Sequence, residues 1–137
     1  MNRKTLQRCR NLRGEADQLE QELGRLEAIM TAPKVQSLTG MPRGAAPVGS
    51  AVERMAIRHA ELVDYYFDLW NDILSLQMSI EKAITALDPL ERQLIRAYYI
   101  EGLSWEEISK QACYSRRHVG RIHAEAINKL EKEEAGL

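Results

Sequence analysis

The stretch SWEEISKQACYSRRHVGRIHAEAINKL, residues 104–130, decides how this chain is read. Ser104 is a favoured N-cap residue, and Glu107 three positions later completes a capping box ahead of the helix WEEISKQA. Cys113 and Tyr114 then read as a turn, and Ser115 caps a second helix that runs to about Glu134. Ile108, Val119 and Ile122 stand where two short helices must pack across so tight a turn, with Trp105 and Ala112 completing a small core. Ser109 is small enough for the closest approach of the two helices. Two capped helices around a short turn predict a helix-turn-helix.

In that geometry the second helix turns Arg116, Arg117, Gly120 and Arg121 to solvent, with His118 alongside. Arginine suits both guanine edges and phosphate oxygens, and a helix N-terminus favours anions. Residues 104–123 carry four Lys/Arg against two Glu, and both Glu lie in the first helix. The expected DNA-contacting set is therefore Ser115, which positions the helix, Arg116, Arg117, His118, Gly120 and Arg121, with Lys110 reaching phosphate. Gly120 is open to two readings: a glycine the helix tolerates, or a site of close backbone approach to DNA.

Working outward, Asp88-Pro89 predicts a cap and a first helical position, and Gly102 a C-terminal stop. Leu90, Leu94, Ile95, Tyr98 and Tyr99 are the candidate inward residues between them. Upstream, residues 52–87 contain neither Gly nor Pro. Met55, Leu62, Leu69, Leu76 and Ala83 form one seven-residue series, and His59, Tyr66, Ile73, Ile80 and Leu87 the other. Val63, Trp70 and Ile84 widen that stripe. Residues 3–30 repeat the pattern, with Cys9, Ala16, Leu23 and Met30 in one series and Leu12, Leu19 and Leu26 in the other. The Pro- and Gly-rich linker 31–50 forbids a continuous helix and lets the two segments fold back on one another, with Ser50 and Glu53 as a capping box.

The expected fold is all-α: an N-terminal antiparallel helical hairpin over 1–87 (helices about 3–30 and 51–87, linker 31–50), then a helix-turn-helix domain over 88–137. The hairpin also offers a coiled-coil seam for a homodimer. The net charge of −1 argues against an indiscriminate coat on nucleic acid but not against a local basic face. The basic start, Arg3, Lys4, Arg8, Arg10 and Arg13, is either a second phosphate contact or a solvated helix end. No apolar run of about 20 residues spans a bilayer, and no signal-peptide pattern follows the basic start, so no membrane contact and a cytoplasmic location are expected. Cys9 and Cys113 lie outside any CxxC and read as two free thiols. His118 and His123, five apart on one helix, face apart and do not share a metal simply. No triad, carboxylate pair or phosphate loop appears, so neither catalysis nor a cofactor or metal is expected.

Residues 90–130, LERQLIRAYYIEGLSWEEISKQACYSRRHVGRIHAEAINKL, resemble region 4 of bacterial sigma factors, which reads the upstream promoter element. The whole chain is similar to phage late-transcription regulators of the ArpU/RinA-like group. That likeness rests on Met41-Pro42-Arg43-Gly44, on Trp105-Glu106-Glu107-Ile108, and on Tyr114, Ser115, Val119, Ile122, His123 and Ala126. Two departures stand out: Cys113 replaces the glycine usual at the turn, and Gly120 replaces a polar contact residue. A complete sigma factor is excluded, because Tyr65, Tyr66, Phe67 and Trp70 lie among Glu61, Asp64, Asp68 and Asp72, which repel single-stranded DNA.

The resemblance implies a sequence-specific double-stranded DNA-binding regulator of phage or prophage genes that contacts RNA polymerase. Two other classes share parts of this pattern. A small-terminase-type packaging subunit also joins a helix-turn-helix to an oligomerising helical region, and would form a large ring. A protein-interaction adaptor would show no salt-sensitive DNA binding.

Overall fold

The structure, a computed structural model, describes residues 1–32 and 48–136, with side chains for 1–32 and 51–136. Its elements are α1 (Arg3–Thr31), α2 (Val48–Ala83), a 3₁₀ turn (Ile84–Ala86), α3 (Pro89–Ile95), a π turn (Arg96–Ile100), α4 (Trp105–Ala112) and α5 (Arg116–Glu134). Among the described residues there is no strand, so the fold is all-α: a helix pair followed by a helix-turn-helix module. No helix among those residues is long and apolar enough to cross a membrane.

Two boundaries differ from expectation. α2 begins at Val48, so Ser50 lies inside its first turn and is not the cap ahead of it. It ends at Ala83 rather than 87, and Ile84–Ala86 tightens to 3₁₀. The cause is local: Pro89 disfavours helical geometry at the preceding residue, and Asp88 is extended, with ψ 155°. Most of the expected linker, including Met41, Pro42, Arg43 and Gly44, lies outside the described residues.

The chain divides into two compact units, Met1–Glu15 with Trp70–Leu137, and Ala16–Leu69. In the second unit Ala16, Leu23, Leu26 and Leu69 are buried, and His59 Nε2 lies 3.0 Å from Glu27 Oε1. The late part of α1 thus meets the early part of α2, as an antiparallel pair requires. Met30, at the end of the heptad series, is exposed.

In the first unit, one cluster joins Leu6 and Cys9 of α1 and Ile80 and Ile84 to Ile95, Tyr99, Ala126, Ile127 and Leu130. Each Leu or Ile buried in this way contributes on the order of 1.5–3 kcal/mol. The start of α1 and the end of α2 therefore share a core with the helix-turn-helix. A second cluster, Leu94, Ile108, Val119 and Ile122, packs against Leu90, Ala97, Tyr98, Leu103 and Trp105. This is the small core expected across the tight turn, enlarged by α3 and without Ala112. Cys9 is buried, which pushes its thiol pKa up, and Cys113 is exposed; both are free.

Candidate nucleic-acid interface

The site is assembled from local capping signals. Ser104, with extended backbone, accepts a hydrogen bond on Oγ from the Glu107 amide at 3.1 Å, and its hydroxyl donates to Glu107 Oε1 at 3.0 Å. α4 ends where Cys113 adopts the left-handed conformation, φ 60° and ψ 32°. That conformation normally selects glycine, because a Cβ crowds the neighbouring carbonyl at a cost of about 1–2 kcal/mol. Here a cysteine occupies it. Its amide bonds the Lys110 carbonyl at 3.4 Å, and the Tyr114 amide bonds the Ser109 carbonyl at 3.2 Å. Together these bonds terminate α4 and reverse the chain.

Ser115 then caps α5, accepting from the His118 amide at 3.1 Å. Val119, Ile122, His123, Ala126, Ile127 and Leu130 form the buried stripe of α5. Their spacing leaves Arg116, Arg117, Gly120 and Arg121 exposed together on the first two turns. A Cβ built on Gly120 meets nothing within 4 Å, so the exposed face is open there. His118 is half-buried, with its ring 4.6 Å from that of Tyr114. Lys110 is exposed on the last turn of α4. The three arginines therefore share the exposed first turns of α5 behind its Ser115 cap, while Lys110 stands on the last turn of α4. Such an arrangement offers charge-assisted hydrogen bonds to phosphate and base edges.

Residues 83–132 match the family model for Sigma-70, region 4. The match covers α3, α4 and nearly all of α5, and it makes this segment a region-4-like helix-turn-helix, a DNA-binding module of transcription. No curated protein and no solved structure matches the chain.

Further residues shape the region-4-like module: Tyr98 and Tyr99, which the sequence offered as inward positions, and His123 and Glu91, whose burial was not legible in it. His123, a candidate for metal ligation by residue type alone, is buried, and Tyr99 lies with its hydroxyl 2.7 Å from the imidazole Nε2. Burial, aided by the positive charge of Arg3, lowers the His123 pKa to about 4. The ring is then neutral, and its Nε2 shares this hydrogen bond with the Tyr99 hydroxyl. Tyr98 is half-buried and stacks on Trp105 with ring centroids 3.9 Å apart, so this tyrosine is engaged inside the module. Glu91 is buried and accepts from Lys129 Nζ at 2.9 Å and from the Asp88 amide at 3.1 Å, which locks α3 to α5. The signal that could have found it is the Asp88-Pro89-Leu90-Glu91 capping pattern.

Between α3 and α4 lies an open groove of about 310 Å³, lined by Leu90, Leu94, Ala97, Ile108, Ala112 and Tyr114 among others. None of Arg116, Arg117 or Arg121 lines it.

Proposed function

We propose that this chain is a sequence-specific double-stranded DNA-binding regulator of transcription, acting on phage or prophage genes through contact with RNA polymerase. The observation that carries the reading is the exposed cluster Arg116, Arg117 and Arg121 on the capped first turns of α5, within a segment that matches Sigma-70, region 4. Arg117 reads a base edge, Arg116 and Lys110 hold phosphate, and Ser115 sets the entry angle of the helix. The groove between α3 and α4 supports the polymerase contact, since it is separate from these arginines and combines apolar residues such as Leu90, Leu94 and Ile108 with Gln93, Arg96, Glu101 and Gln111. The exposed apolar residues Ile57 and Phe67 of α2, 59% and 63% accessible, support homodimerisation through the helical hairpin.

The test is binding of wild-type and variant proteins to duplexes selected from a random library, across a salt series. Arg117→Ala should cost about 1–3 kcal/mol on the selected site and relax choice at one base position. Lys110→Ala should weaken all sequences alike and lower the salt slope by roughly one. Full specific affinity in the double variant R116A/R117A would overturn the reading. A large ring in light scattering would favour the packaging subunit instead, and DNA binding without salt dependence would remove the phosphate contacts from the account.

A further inference from the structure

The basic start of α1 is not spent on solvent alone. Arg10 Nη1 donates to the Tyr98 carbonyl at 2.6 Å and to the Leu103 carbonyl at 3.0 Å. Its guanidinium carbon lies 3.9 Å from the centroid of the Tyr98 ring, whose plane is 11° from that of Trp105. One turn on, Arg13 Nη1 donates to the Ile100 carbonyl at 2.9 Å. These three carbonyls belong to the segment between α3 and α4. That segment leaves helical geometry through a π turn, passes Gly102 at φ 78°, and delivers Ser104 as the cap of α4.

Beyond the bonds within its π turn, the segment's backbone is held by Glu101 to Arg96 at 2.8 Å and Leu103 to Ala97 at 3.0 Å. Carbonyls at a helix C-terminus carry partial negative charge and lack helical partners, so a guanidinium is the group best matched to them. One guanidinium nitrogen joins two carbonyls five residues apart, and the guanidinium lies over the ring of Tyr98, which ties the start of the step to its end. Trp105, the first residue of α4, sits on the far side of Tyr98 and is packed edge-on to His123 of α5 at 4.7 Å. A displacement of Tyr98 is thus passed to both helices of the helix-turn-helix.

We infer that Arg10 is a positioning residue for DNA recognition: from α1 it sets the placement of α4 and α5 through the Tyr98 and Leu103 carbonyls, without touching DNA itself. The inference rests on the DNA-binding function proposed above.

The experiment uses the full chain and its R10A and R10K variants. The probe is a duplex selected by the wild-type chain from a random library. Affinity is measured across a salt series, at a temperature where circular dichroism shows each variant fully folded. A role confined to stability leaves affinity unchanged under that condition. R10A should bind the selected duplex roughly tenfold more weakly, as the loss of charge-assisted hydrogen bonds implies, with an unchanged salt slope. The Trp105 indole N–H signal, assigned with W70F, should shift in the free protein. R10K keeps the charge but lacks the planar guanidinium that lies over the Tyr98 ring, and should recover only part of the affinity; it carries the test if R10A does not fold. Unchanged affinity in the folded variants overturns the inference, and so does a salt slope lower by about one, which would mark Arg10 as a direct phosphate contact. R117A is measured in parallel. Loss of binding there with none in R10A and R10K overturns the positioning role alone, whereas a wild-type chain that selects no duplex overturns the functional reading with it.

Discussion

The Tyr99 hydroxyl lies 2.7 Å from His123 Nε2, and this buried bond ties the π turn after α3 to the middle of α5. Tyr99 is 1% and His123 8% exposed, so neither group exchanges this partner for water. The pair is built for one protonation state. Burial holds the imidazole neutral and pushes the Tyr99 hydroxyl pKa up, so both groups stay uncharged.

A pH dependence of stability follows. An unfolded histidine titrates near its ordinary value of 6.5, whereas His123 in the folded chain titrates at about 4. Between these values the unfolded chain binds a proton that the folded chain does not, so stability falls as pH is lowered from 6.5 towards 4. Below both values the dependence levels off. The full contribution is on the order of 3 kcal/mol. H123F should flatten this part of the stability profile relative to the wild type, measured by denaturant unfolding at several pH values. Parallel profiles for the two proteins would show that His123 is not the group responsible.

Gly120 separates two readings that the sequence left open. The site has space for a methyl group on the exposed face of α5, so Gly120→Ala should stabilise the free protein by about 0.5–1 kcal/mol through helix propensity. Melting temperature reads this term. If DNA backbone approaches Gly120 closely, the same variant should bind the selected duplex more weakly despite its greater stability. If the glycine is only tolerated, affinity should be unchanged.

Leu69 tests the buried seam of α2. It is 6% exposed and belongs to the heptad series with Leu62 and Leu76. Leu69→Ala should cost about 2–5 kcal/mol, read from the denaturation midpoint. A midpoint equal to that of the wild type would mean that this face of α2 is not core.

The sequence by itself determined the local architecture. Ser104, Cys113 and Ser115 mark the ends of α4 and α5 because capping and chain reversal act between residues three to five apart, within reach of any reader of the chain. The seven-residue series in α1 and α2 foretold which faces are buried, since periodicity converts directly into a helix face. The exposure of Arg116, Arg117 and Arg121 followed from the same arithmetic. Only the tertiary structure decided what meets those faces. Arg10 and Tyr98 are 88 residues apart, and nothing in either neighbourhood says that the guanidinium will cap that carbonyl. The choice between Tyr98 and Tyr99 as the more deeply buried ring depended on the π turn, which rotates the helix phase that sequence spacing assumes. The shared core of Leu6, Cys9, Ile80 and Ile84 with Tyr99, Ala126 and Leu130 was likewise invisible, because an apolar stripe states that a helix will be covered and not by which partner.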